Sequence, residues 1–364
     1  MSLKQRIVRQ IRLNGPISVA DYMALCLFDP KDGYYTTREP FGAEGDFITA
    51  PEVSQMFGEL LGAWCINAWQ EMGSPSSFVL CEMGPGRGTL MDDLLRTVAR
   101  LSPAFCAAAR IHMVELSDRL AELQRRKLAH HPLAIEWRTQ LDTTSRLPLI
   151  LVANELFDAI PTRQYVKHRG HFVERLLVAD DDDRLHFIAG TGTLDAGLLP
   201  AGHALAAEGT IFEISPQRVA LMREIASRIG RSRGAALLVD YGHLQAGFGD
   251  TLQALRSHDH VDVLDTPGEA DVTTHVDFHA LVQAANAEQC RTATMTQGDF
   301  LLAMGLLDRA GALGRDKSTD YQEQIRADVE RLAGPDQMGH LFKLLCVTDA
   351  ATTTFPFNLA RDRN

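Results

Sequence analysis

Residues 81–96 read CEMGPGRGTLMDDLLR. Glu82 stands ahead of three alternating glycines, Gly84, Gly86 and Gly88, and an amphipathic helical run opens near Thr89. The residues just upstream, Phe78 to Glu82, have the apolar content of a short buried strand. Glycine lets the backbone turn sharply and approach a ligand, and a helix start offers N–H groups that lack intrahelical partners. The stretch therefore predicts a strand, a glycine turn and a helix enclosing a nucleotide-like ligand. Glycines also serve purely structural strand-to-helix turns, and the spacing ExGxGxG departs from the GxGxxG of dinucleotide-binding folds.

Outward from this stretch, short apolar runs alternate with helical segments, the pattern of βα units and a parallel sheet. The expected strands are Phe78 to Glu82, Ile111 to Glu115, Ile135 to Arg138, Leu149 to Ala153, Ala236 to Asp240, Thr251 to Ser257 and Arg291 to Thr296. Between the fourth and fifth, Gln164 to Ile188 suggests antiparallel strands around the acidic turn Asp180 to Asp183, which is read as a solvated turn. A polar helical insertion, Asp308 to His340, precedes a further apolar strand, Leu341 to Thr348. Toward the N-terminus, Leu3 to Leu13 and Ser18 to Leu27 have helical spacing, the latter with a Ser18/Asp21 capping pattern. An aperiodic stretch rich in glycine, proline and aromatics, residues 29–51, is expected to be a lid loop, followed by a helix from Glu52 to Met72. The expected organisation is an N-terminal helical section with lid over residues 1–75 and an α/β domain over 76–364, with insertions at about 161–210 and 306–340.

Composition bounds the function. The chain has 364 residues, 45% hydrophobic and 23% charged, which excludes a disordered or fibrous chain and a disulfide-stapled miniature. Its formal charge of −11 disfavours a general grip on nucleic-acid phosphates. Six scattered cysteines show no metal-ligand spacing and read as reduced core residues. No apolar run is long enough to span a membrane, and the basic opening MSLKQRIVRQIRLNG runs into a fold helix, so a cytoplasmic protein is expected. HExxH, GxxxxGK and GxSxG are absent, which removes the usual support for hydrolase and kinase readings. His258, Asp259 and His260, with His243 and His275, offer a metal alternative, but ordinary histidines are the commoner outcome and no metal is expected.

The candidate site follows the strand ends, where open α/β folds bind ligands. Glu115 follows the second strand, and a carboxylate there can accept both ribose hydroxyls of a nucleoside. Asn154, Glu155 and Asp158 follow the fourth strand; they could instead cap the next helix.

The glycine stretch resembles motif I of class I S-adenosylmethionine-dependent methyltransferases. Together with GDFITAPEVSQMFGELLGAW, NELFDAIPTRQ, LLVDYGH, GDTLQALRSH, DVTTHVDF and TQGDFL, it makes the chain resemble the MidA-type family from about Ser18 to Phe357. That family comprises relatives of the mitochondrial complex I assembly-factor methyltransferase. The resemblance implies a seven-stranded, Rossmann-like class I methyltransferase sheet and S-adenosylmethionine as donor. It further implies methylation of a protein arginine, a complex I subunit being one such acceptor. Donor contacts are expected at Glu82, Gly84, Gly86, Gly88, Glu115 and Asn154, with the adenine beside Gln140, Leu141 and Asp142. A guanidinium must be gripped by carboxylates that localise its charge and accept its proton. Glu155, beside Asn154, leads that set, with Glu52, Asp46 and Asp158 as helpers. The alternatives are a chaperone-like assembly factor on a methyltransferase fold, or a small-molecule methyltransferase whose acidic entrance receives an amine.

Overall fold

The computed structural model describes residues 1–37, 49–257 and 259–358. Among the described residues, seven strands form the continuous path of the main sheet: β1 (Phe78–Met83), β2 (Ala109–Val114), β3 (Ile135–Arg138), β4 (Leu149–Asn154), β5 (Gly234–His243), β6 (Arg291–Thr296) and β7 (Phe342–Thr348). Their spatial order is 6-7-5-4-1-2-3. Strands β1 to β5 run parallel, whereas β7 lies antiparallel to both β5 and β6. Every residue of β1 and β7 is buried, as expected of strands covered on both faces.

Two expected elements are corrected. Thr251 to Ser257 is not a strand of the main sheet: Gln253–Arg256 pairs antiparallel with Asp259–Val261 and with Asp271–Thr273 in a separate three-stranded sheet. A sheet covered on both faces needs a continuous apolar run, which FKLLCVT supplies and QALR does not. The long helix expected from Glu52 is also interrupted. Ala50–Val53 forms a single turn, Ser54 is extended at φ −159°, and its side chain caps a new helix, Gln55–Glu71. Glu52 therefore lies on the short turn.

The chain forms two compact units, divided otherwise than at residue 75. One contains residues 49–156, 220–244 and 278–358 and holds strands β1 to β7. Phe57, Leu60, Leu61 and Trp64 of helix Gln55–Glu71 share its core with Leu90, Leu94 and Val98 of helix Thr89–Leu101. The two helices approach closely through glycine: a Cβ at Gly58 would stand 2.6 Å from Asp93 Cβ, and one at Gly62 would stand 3.3 Å from Leu94 O. The insertion supplies helices Leu306–Gly314 and Thr319–Ala333, whose Leu306, Ile325 and Leu332 join the same core. Arg309 fastens it through a fork on the buried Glu59, with Nε 2.5 Å and Nη2 2.8 Å from the two carboxylate oxygens.

The other unit contains residues 1–37, 157–219 and 245–277 apart from His258. Helices Leu3–Asn14 and Val19–Phe28 put Ile7, Val8, Tyr22 and Met23 into a core with Leu177, Leu185 and Val272. The Ser18/Asp21 capping box forms as its sequence predicts. Antiparallel strands Arg163–His168, His171–Ala179, Leu185–Thr193 and Ile211–Ile214 make its larger sheet, and the acidic turn joins the second and third of them. Arg218 is the buried tie: its Nη2 donates to Asp158 O, Thr274 O and Thr274 Oγ1, and its Nη1 donates to His275 O.

Candidate active site

The carboxyl ends of β1, β2, β3 and β4 bring most of the predicted residues together. Gly84, Gly86 and Gly88 all have left-handed backbone, at φ 66°, 53° and 80°. L-residues with side chains pay a steric penalty there, so the local geometry itself requires the glycines. A Cβ at Gly84 would also stand 2.8 Å from Leu156 Cδ1. The loop is pinned by Gly84 N–H to Val114 O at 3.0 Å and Gly88 N–H to Pro85 O at 2.7 Å. Gly88, which has no side chain to cap with, then opens helix Thr89–Leu101, and a carboxylate from β1 takes one N–H of its first turn.

Glu82 is buried on β1 and accepts the Met91 N–H, while its Oε2 lacks a hydrogen-bond partner. Burial, with the nearby charge of Glu115 adding to it, raises its carboxyl well above the usual range. Glu115 follows β2 and donates its N–H to Arg138 O at 2.9 Å. Its carboxylate accepts Ser117 N–H at 2.8 Å and Gln124 Nε2 at 3.0 Å, and burial raises its pKa. Glu115, Gln140, Leu141 and Asp142 line one cleft of about 570 Å³, with Trp137 and Arg125. Asp142 holds the far wall, its Oδ1 accepting the Thr144 hydroxyl and the N–H groups of Thr144 and Ser145. These bonds hold its carboxyl below the usual range. Arg228, buried, braces the same wall through Asp142 O and Leu147 O.

Asn154 ends β4, and Glu155 follows with φ 49°, a backbone rarely adopted by a residue with a long side chain. Its N–H donates to Val239 O at 2.9 Å, and its Oε1 accepts Asn154 Nδ2 at 2.9 Å. Asn154 Oδ1 is buried without a partner. Glu52 also meets the loop: its Oε1 accepts the Thr89 hydroxyl at 2.6 Å, and Lys127 Nζ donates to the same Thr89 oxygen at 2.7 Å. Asp158 belongs to the other compact unit, where it is buried and its Oδ1 accepts the Ala159 N–H at 2.8 Å. Asp46, with the rest of residues 38–48 of the expected lid, lies outside the described residues. Of the histidines considered for a metal, His258 is also outside them, and His260 is exposed on strand Asp259–Val261.

Gln124 was not singled out from the sequence. It is fully buried, its Nε2 donating to Gly86 O at 2.8 Å and to Glu115, its Oε1 accepting Trp137 Nε1 at 3.0 Å. One side chain thus joins the glycine loop, the acid after β2 and the aromatic on β3. The available signal is its place on the apolar stripe Leu120, Ala121, Gln124 and Leu128 of helix Asp118–Leu128, where a polar residue must have a buried partner.

The sheet order with its reversed seventh strand, the left-handed glycine loop after β1 and the acid after β2 define a class I methyltransferase. The donor fits residues that are present: a glycine cradle that side chains would obstruct, a cleft lined by the acid after β2, and polar atoms of Glu82 and Asn154 left without partners. The profile of a family of S-adenosyl-L-methionine-dependent methyltransferases matches residues 60–296, and the chain belongs to this family. It is 33% identical to the protein arginine methyltransferase NDUFAF7, mitochondrial, of Xenopus tropicalis, over 98% of this chain and 88% of that one. The corresponding protein of Homo sapiens is 32% identical, over 94% and 82%. Among solved structures, a COG1565 superfamily member from Burkholderia thailandensis bound to S-adenosyl-homocysteine superposes with a TM-score of 0.83. It is 27% identical and covers 96% of this chain and 92% of that one. S-adenosylmethionine is the methyl donor of this enzyme.

Proposed function

We propose that the enzyme methylates an arginine side chain of a protein, with Glu155 gripping the guanidinium. The observation that carries this reading is the Asn154–Glu155 pair at the end of β4: a carboxylate on a left-handed backbone, oriented by its neighbour's amide. Backbone strain of this kind concentrates at functional sites. The names of the relatives support the acceptor class. S-adenosylmethionine supplies an electrophilic methyl group. The glycine loop and Glu82 would hold its methionyl part, Glu115 its ribose, Gln140, Leu141 and Asp142 its adenine, and Asn154 would reach it with its amide. A guanidinium has little free basicity, so Glu155 would localise its charge away from the reacting nitrogen and take up its proton. Glu52 would position the helix start through Thr89.

A respiratory complex I subunit is the acceptor suggested by the family resemblance. Among the described residues no helix is long and apolar enough to cross a membrane. We place the enzyme in the cytoplasm, or in the mitochondrial matrix of a eukaryotic cell, the organelle in the relatives' names.

The test is labelled S-adenosylmethionine with proteins of the same cell, read by mass spectrometry. Methylarginine on one protein is expected, and Glu155→Gln should lower transfer at least ~100-fold while donor affinity stays nearly level. Donor binding without any transfer would favour an assembly factor. Methyl groups on lysine, a carboxylate or only a small metabolite would overturn the arginine assignment.

A further inference from the structure

We propose that Asp92, His130 and His131 form a binding site for a divalent transition-metal ion, zinc being the probe of choice. Among the described residues they are the one group of three metal-ligating side chains whose ligand atoms converge, all within 4.8 Å of one another. Asp92 lies in the first turn of helix Thr89–Leu101, and the histidines lie just beyond helix Asp118–Leu128. Both imidazoles aim Nε2 at the same oxygen, Asp92 Oδ1, at 3.3 Å from His130 and 2.8 Å from His131. Zinc–nitrogen and zinc–oxygen bonds of ~2.0–2.2 Å in a tetrahedral site place ligand atoms ~3.3 Å apart. The carboxylate–imidazole separations of 2.8 and 3.3 Å lie within about 0.5 Å of that value, and the remaining separation, at most 4.8 Å, closes by up to ~1.5 Å on binding.

The hydrogen bonding calls for a cation. His130 Nδ1 lies 3.0 Å from Lys127 O, and since a carbonyl only accepts, Nδ1 carries a proton. In the neutral ring Nε2 then presents a lone pair to a carboxylate oxygen, a repulsive pairing that a positive charge between them reverses. A shared metal ion supplies that charge. The imidazole rings are 4.1 Å apart with an interplanar angle of 38°, which brings both Nε2 atoms to the same side of Asp92. The carbonyl bond also fixes the tautomer in the manner usual for metal-bound histidine. On binding, the proton between His131 Nε2 and Asp92 passes to solvent and the metal takes its place.

Accessibility and ligand type fit such an ion. His131 and Asp92 side chains are 7% and 18% exposed, whereas His130 is 62% exposed and leaves an open side for entry and a water ligand. Two imidazoles and one carboxylate suit zinc and its neighbours better than calcium or magnesium. The site would brace the joint at which Lys127, one turn before the histidines, reaches Thr89.

Metal-stripped full-length protein titrated with zinc chloride in a calorimeter tests the site. Saturable 1:1 binding is expected, weakened at least ~100-fold in His131→Ala and Asp92→Asn, the upper range seen even for residues that only support ligands. His130→Ala should weaken it at least ~10-fold. Cys106→Ser, at the one cysteine that is not buried, should leave it unchanged. Cobalt substitution should give a tetrahedral absorption spectrum without a thiolate charge-transfer band. Circular dichroism and adenosylhomocysteine binding report whether each variant is folded. Absence of saturable binding by the wild type, or equal affinity in folded His131→Ala and Asp92→Asn, would overturn the proposal.

Discussion

The two compact units differ in how their chain is assembled. The sheet unit owes its order to strands β1 to β4, which follow one another in 78–154 and carry the glycine loop, Glu115, Asn154 and Glu155. The other unit gathers residues 1–37, 157–219 and 245–277, and its buried centre is a polar tie, Arg218 on the carbonyls of Asp158, Thr274 and His275. Candidate residues placed at strand ends can be read locally, because each is defined by its own strand and turn. A unit held by distant segments shows itself only when those segments meet.

Four measurements would sharpen or break this contrast. The largest effect is expected for Arg218→Ala, which strands several buried acceptors and should cost about 3 kcal/mol of unfolding free energy in urea. A loss under ~0.5 kcal/mol would mean that Arg218 is not the tie. Gly86→Val, in contrast, should weaken adenosylhomocysteine binding at least ~100-fold by calorimetry, near 2.7 kcal/mol. The left-handed backbone at φ 53° should cost the fold only ~1–2 kcal/mol. Unchanged affinity in the folded variant would remove the glycine loop from the donor site.

The third concerns Asp93, whose carboxyl burial pushes up from 3.8 to about 6. Because the folded value is the higher one, its contribution to stability is complete below about 3.8 and is lost as pH rises through about 6. Asp93→Asn should therefore remove about 2 kcal/mol of the fall in stability between pH 4 and 7, at 1.36 kcal/mol per pKa unit. Parallel stability curves for wild type and variant would contradict it. The smallest effect is expected for Gln124→Ala, which leaves Gly86 O and Glu115 without their shared donor. Donor affinity should fall ~10-fold, about 1.4 kcal/mol, and an unaltered dissociation constant would reduce Gln124 to core filling.

Particular residues show where sequence reading succeeded and where it stopped. The sequence marks both β7 and residues 251–257 as extended, yet of the two only FKLLCVT joins the main sheet, because burial on both faces demands apolar side chains at successive positions. Ser54 looked like one more helical position but is the extended cap between two helices. Gln124 stands on the apolar stripe of its helix, and that pattern marks the buried face without naming what the face meets. Asp158, next to the segment that carries Asn154 and Glu155, sits in the other unit, and nothing in NELFDAIP marks the break.

The sequence alone determined the strand-turn-helix at residues 78–101, the three glycines, the acid after β2 and the Asn154–Glu155 pair, because left-handed turns, apolar strands and helix caps are short-range requirements written in consecutive residues. Tertiary structure decided which strand occupies the seventh place, where the N-terminal helices pack, and that Gln124 closes the glycine loop onto Glu115. It also decided that Asp92 meets His131 across 39 positions of chain. Such contacts depend on which buried surfaces find one another in three dimensions, and no local periodicity carries that information.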